Sequence, residues 1–66
     1  MRIVVNGQPV SCEVGTNLHD LIVQLGLKPE AVVVERNREL VPGENFVRTC
    51  LEEGDNLELL HFVGGG

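Results

Sequence analysis

Aromatic residues are almost absent from this sequence: there is no tryptophan or tyrosine, and the 2 phenylalanines are Phe46 and Phe62. Without aromatic faces there is no platform on which nucleobases can stack. Basic residues are scarce too. Lys and Arg number 5 against 10 Asp and Glu, a formal net charge of −5 at pH 7, whereas nucleic-acid binding needs a basic surface that displaces counterions. No nucleic-acid partner is expected. The 2 cysteines, Cys12 and Cys50, stand far apart, with no Cys-x-x-Cys pair and no Cys/His ligand spacing; neither a disulfide framework nor a metal site is indicated. No apolar run is long enough to cross a bilayer. The opening segment meets a polar turn at Asn6-Gly7 after Ile3-Val4-Val5, unlike a secretory leader. These absences lead to the expectation of a cytoplasmic chain with reduced thiols and no membrane partner, its cysteines acting as small half-buried hydrophobes. Also missing are a nucleophile–base pair, paired carboxylates and a phosphate-cradling glycine loop opening a helix. The sequence therefore reads as a non-enzyme.

What is present is enough for one small domain of 66 residues. Arg2 to Asn6 is rich in β-branched residues and ends at Asn6-Gly7, a strand meeting a tight hairpin turn. Pro9 to Val14 alternates and reads as the returning strand, with Val10, Cys12 and Val14 on one face. A helix follows from about Thr16 to Leu25. Thr16 is its expected N-cap, Leu18, Leu21, Ile22 and Leu25 form one apolar stripe, and Gly26 with Pro29 ends it. Ala31 to Arg36 is a continuous apolar run that predicts a strand buried on both sides or nearly so. Asn37-Arg38 is a polar turn, Glu39 to Val41 a short strand, and Glu44 to Glu53 an irregular or 3₁₀ segment that tucks Phe46 and Leu51 into the core. After a turn at Gly54-Asp55 the last strand runs from Asn56 to Val63. Leu57, Leu59 and His61 face one way and Glu58, Leu60 and Phe62 the other.

This order gives an α+β class: a β-grasp (ubiquitin-like) fold, with a mixed sheet of four to five strands and one helix packed on one face. The final strand is expected beside the first, in the middle of the sheet. Residues 1–63 form the domain in this reading, and residues 64–66 a flexible glycine tail.

The sequence Val63-Gly64-Gly65-Gly66 needs a reason. Three glycines contribute no packing, and ordering each one costs entropy. A tail without side chains can, however, slide into a channel too narrow for anything bulkier, and three extended residues reach about 10 Å. A carboxylate there is a poor acyl donor. Joined to AMP at the expense of ATP by a partner enzyme, it becomes an acyl-adenylate, and a sulfur nucleophile can displace AMP to leave a thiocarboxylate.

The segments Ile3-Val4-Val5-Asn6-Gly7, Val32-Val33-Val34-Glu35-Arg36-Asn37 continuing to Leu40-Val41-Pro42, and Gly54-Asp55-Asn56-Leu57-Glu58-Leu59-Leu60-His61-Phe62 with the glycine tail resemble the ThiS family, ubiquitin-like sulfur carriers of thiamine thiazole biosynthesis. The resemblance spans nearly the whole chain. It implies that Gly66 is adenylated and converted to the thiocarboxylate, and that Gly64, Gly65 and Gly66 enter the partner's active site. It also implies three partners: a ThiF-type adenylating enzyme that uses ATP, a cysteine-persulfide sulfur donor, and thiazole synthase. No cofactor is held by this chain itself. Many members carry a basic residue after Val-Pro, where this chain has Gly43, so a contact made there by other members need not occur.

Val4, Leu60 and Phe62 are expected on the sheet face away from the helix, an apolar docking patch near the tail. His19 is read as solvent-exposed, and His61 as a partly buried structural histidine. Glu52-Glu53 with Asp55 is read as a solvated acidic turn, and Glu35 to Glu39 as a polar hairpin tip. Other readings of the same residues are a carrier for another pathway, such as the small subunit of molybdopterin synthase, a ubiquitin-like protein modifier, and a plain interaction module.

Overall fold

The two hairpins of the sheet turn where the backbone enters the left-handed region. The computed structural model describes residues 1–62. Strand β1 (Arg2–Val5) pairs antiparallel with β2 (Gln8–Ser11), with Val5 opposite Gln8. Asn6 and Gly7 between them have φ of 49° and 81°, the type I′ turn whose twist matches that of the flanking strands. Strands β3 (Val32–Arg36) and β4 (Glu39–Val41) repeat the device around Asn37 and Arg38, φ 51° and 73°. The last strand, β5 (Asn56–His61), runs parallel to β1 and antiparallel to β3. The sheet order is therefore β2-β1-β5-β3-β4, with β5 central, as a β-grasp requires.

Helix α1 (Leu18–Gln24) covers one face. Its N-cap is Asn17 rather than Thr16: Asn17 Oδ1 accepts from the Asp20 amide at 2.7 Å, while the Thr16 hydroxyl turns back to donate to the Glu13 carbonyl at 2.6 Å. Either residue type caps well; the helix starts one residue later than the composition suggests because Thr16 is engaged in the preceding turn. At the other end Gly26 (φ 79°) donates to the Val23 carbonyl and Leu27 to the Ile22 carbonyl. This Schellman pair satisfies carbonyls the helix leaves open.

Leu18, Leu21 and Ile22 of α1 pack on Ile3, Val5, Val32, Val34, Leu57 and Leu59 from the sheet. Phe46 and Leu51 close the core from the segment between β4 and β5, as expected, and a 3₁₀ turn spans Gly43–Asn45. Three expectations are corrected. Strand β3 alternates between buried and exposed residues, with Val33 40% exposed, because among the described residues no second layer covers the sheet. Val14 leaves the face it was to share with Val10 and Cys12: β2 ends at Ser11, and Val14 is 86% exposed in the turn before Gly15. Of the cysteines, Cys12 is buried but Cys50 is exposed. Among the described residues no helix is long and apolar enough to cross a membrane. The domain limit at residue 63 and the tail, Gly64, Gly65 and Gly66, lie outside the described residues.

Candidate functional site

The functional geometry centres on β5, which leads to the glycine tail. Its start is held by a side chain that sequence reading took for a solvated turn residue. Asp55 is buried, with 5% of its surface exposed. Its carboxylate accepts from Arg36 Nε at 2.9 Å, Asn37 Nδ2 at 3.1 Å and the Glu52 amide at 2.9 Å. Burial by itself pushes the carboxyl pKa up. The hydrogen bonds from the Glu52 backbone, Asn37 and Arg36, with the Arg36 charge, outweigh it and hold the group below its ordinary 3.8. Arg36 also reaches Glu52 at 3.1 Å and the Cys50 carbonyl at 3.2 Å. Asn37 exchanges two bonds with the Asn56 backbone, at 2.8 and 2.9 Å. The supposed hairpin tip and the supposed acidic turn are thus one joint.

Farther along, β1 is too short to pair with all of β5. The Asn6 side chain takes over: its Oδ1 accepts from the Leu59 amide at 2.8 Å, and its Nδ2 donates to the Leu59 carbonyl at 3.1 Å. The amide acts as one more residue of strand. The left-handed backbone of Asn6 is what aims it there, so the residue serves both turn and strand. Past β5, the Phe62 amide donates to the Ala31 carbonyl at 2.8 Å, continuing the pairing with the β3 side.

The uncovered face of the sheet follows from register. Leu60 pairs with Val33, Glu58 with Glu35, and Leu40 with Glu35. Leu60, Phe62, Val33 and Leu40 are all exposed large hydrophobes. Val4 lies on the same face but is half-buried and sits opposite Asn56, at the start of β5, four residues from Leu60, which is about 13 Å. The structure thus brings Leu60 and Phe62 to the tail end and leaves Val4 at the other, with the Glu58 row between. His61, expected to be partly buried, is exposed at the end of β5. His19, read as solvent-exposed, is half-buried on α1 and stands beside Asp20, 3.4 Å away. Among the described residues no group of His, Cys, Asp and Glu is arranged to hold a metal ion.

Comparison with known proteins bears on what such a strand and tail are for. The family model described as ThiS family matches residues 3–66. The chain belongs to the ThiS family. Its similarity to the sulfur carrier protein ThiS of Bacillus subtilis is 37% identity over 62 residues, covering 92% of this chain and 94% of the relative. The crystal structure of the thiamine biosynthesis protein ThiS from Geobacter metallireducens superimposes with a TM-score of 0.83 at 36% identity, covering both chains completely. At 44% identity, all 66 residues also match part of a thiazole synthase of Magnetococcus marinus, where this ThiS-family chain spans 20% of the relative's length. These matches establish the β-grasp fold of the ThiS family for this chain. Asn6, Arg36, Asn37 and Asp55 all lie in the segments that carry the family likeness, yet each makes contacts inside the domain.

Proposed function

We propose that this chain is a sulfur carrier for thiazole formation in thiamine biosynthesis, with Gly66 as the group that carries the sulfur. One observation bears most of the weight: the ThiS family match runs through residue 66, and the alignment with a sulfur carrier protein covers nearly all of both chains.

The chemistry follows from what a carboxylate can do. An adenylating enzyme of the ThiF type joins the Gly66 carboxylate to AMP, and pyrophosphate leaves from ATP. The outer sulfur of a cysteine persulfide attacks the acyl carbon and AMP departs. A second thiol then cleaves the sulfur–sulfur bond, leaving the thiocarboxylate on Gly66 and a disulfide on the donor side. The thiocarboxylate is the nucleophile that thiazole synthase consumes. Gly64, Gly65 and Gly66 enter each partner's active site, where a side chain would obstruct passage. Leu60 and Phe62, with Val4 farther along the face, dock the domain. In this reading all catalysis belongs to the partners, ATP is bound by the adenylating enzyme, and the chain works in the cytoplasm without a cofactor of its own.

Thiazole synthase as acceptor is supported by the relative in which a ThiS-like segment is part of a thiazole synthase chain. A carrier covalently joined to its acceptor gains effective concentration without any new contact. The test is intact mass spectrometry after incubation with ATP, the adenylating enzyme and a sulfur donor, with the modified residue mapped on the C-terminal peptide. Replacement of one oxygen by sulfur at Gly66 is the expected result. An unmodified Gly66 in the presence of competent partners would overturn the reading.

A further inference from the structure

The uncovered face of the sheet contains a pairing that works against the fold. Glu35 of β3 and Glu58 of β5 are register partners, and both are exposed. Opposed side chains of this kind have Cβ atoms about 5 Å apart, and like charges so placed destabilise an antiparallel pair. Among the described residues neither carboxylate takes part in an ion pair. On the side toward the end of β5 their neighbours are apolar. Val33 and Leu60 form the next row, Leu40 stands across from Glu35, and Val33, Glu35, Glu58, Leu59 and Leu60 line one shallow depression.

Two carboxylates beside an apolar floor suit one cationic group above others. A guanidinium is planar, weakly hydrated and always charged. It can lie flat on Leu60 and Val33 while its several N–H groups donate to both carboxylates. An ammonium is a compact, strongly hydrated point charge and gains less from such a floor.

A protein that receives the tail is placed to bring this group. Residues 63–66 span at most about 14 Å from Phe62 when extended. A partner that receives Gly66 in its active site therefore has surface beside Phe62 and Leu60. The Glu58–Glu35 row lies only about 7 Å farther along β5.

We propose that thiazole synthase, the acceptor supported by the relative that joins a ThiS-like segment to such an enzyme, presents an arginine that seats between Glu35 and Glu58, flanked by apolar side chains that cover Leu60 and Val33. This rests on the sulfur-carrier reading and gives it a recognition chemistry. The charge pair is a selectivity device: left uncovered it costs stability, and only a partner with a matching cation relieves it.

The experiment is calorimetric titration of the full chain with the thiazole synthase of the same organism, at low and high salt, for the wild type and for Glu35→Gln with Glu58→Gln. The thermal midpoint of each free chain is measured alongside. Expected are a rise in Kd of about tenfold or more at low salt, a flattened salt dependence, and a midpoint for the double variant equal to or above the wild type. Prior modification of the synthase with an arginine-specific dicarbonyl should weaken wild-type binding and leave the double variant's residual binding unchanged. Equal affinity and equal salt dependence for the two chains would overturn the inference while leaving the carrier reading intact, provided the wild type binds and takes sulfur at Gly66. A lowered midpoint for the double variant would also overturn it, since the pair would then be stabilising the fold. Failure of the wild type both to bind and to be modified would bring down the carrier reading and this inference together.

Discussion

At the scale of single residues, two side chains hold β5 in place. Asp55 is a buried carboxylate with three donors, one of them a cation. Removing it leaves Arg36 Nε, the Glu52 amide and Asn37 Nδ2 without their acceptor. Asp55→Ala is expected to cost about 3 kcal/mol in chemical denaturation, a large loss for so small a core. The sign of the pH effect follows from the lowered pKa. Above the unfolded value near 3.8 the contribution is fully present, and it is lost as pH falls through the lower folded value. Stability should therefore drop below about pH 4 in the wild type. In Asp55→Asn that part of the acid slope should be missing, and urea titrations at pH 2.5 to 5 would check it. Asn6 presents the second case. Asn6→Ala deletes two bonds to the Leu59 backbone and is expected to cost about 2 kcal/mol, with faster amide exchange at Leu59. Gly43, where the family often has a basic residue, is different. A Cβ there would meet only Phe46 Cε2, at 4.0 Å, an ordinary contact, so the fold leaves room for a side chain.

At the scale of elements, local chemistry and tertiary context agree in most places. Asn6-Gly7 is an ideal type I′ turn, and the hairpin it predicts is there. The second type I′ turn uses Arg38 at φ 73°, where a side chain with a Cβ is strained by about 1–2 kcal/mol. Arg38→Gly relieves that strain and gives part of it back as unfolded-chain entropy. The net expectation is stabilisation by up to about 1 kcal/mol, visible as a higher thermal midpoint. For α1 the apolar stripe was legible while the cap was not, because Thr16 and Asn17 are both competent caps. What chose between them is the Thr16 bond to Glu13. Asn17→Ala should cost about 1 kcal/mol, with Thr16→Ala less harmful to helix content by circular dichroism. The misreading of β3 has a simple cause. Ala31 to Val34 is apolar throughout, so the run contains no periodicity to show that one side stays uncovered.

At the scale of the whole molecule, one helix on a five-stranded sheet leaves the second face uncovered among the described residues, and Leu60 and Phe62 lie on it shortly before the tail in sequence. Phe62→Asp should weaken binding to thiazole synthase by about tenfold or more, as for loss of an aromatic anchor, without changing the fold, since Phe62 is 53% exposed. Unchanged affinity would remove Phe62 from the docking surface. Deleting Gly66 should abolish sulfur transfer while leaving the unfolding curve unchanged; an active truncation would refute the tail mechanism.

The sequence alone determined the identity and order of the elements, the hairpin turns, the apolar stripe of α1, and the likeness to the ThiS family with the chemistry available to a glycine carboxylate. These are local properties: spacing, turn residues and segment composition are readable over a few positions. Only the tertiary structure decided that Asp55 is buried against Arg36 and Asn37, that Asn6 reaches Leu59, that Glu35 stands beside Glu58, and that Val4 is far from Leu60. Each of these joins residues distant in the chain, and strand register sets which ones meet. Register depends on how two faces are buried at once, and no single stretch of sequence contains that information.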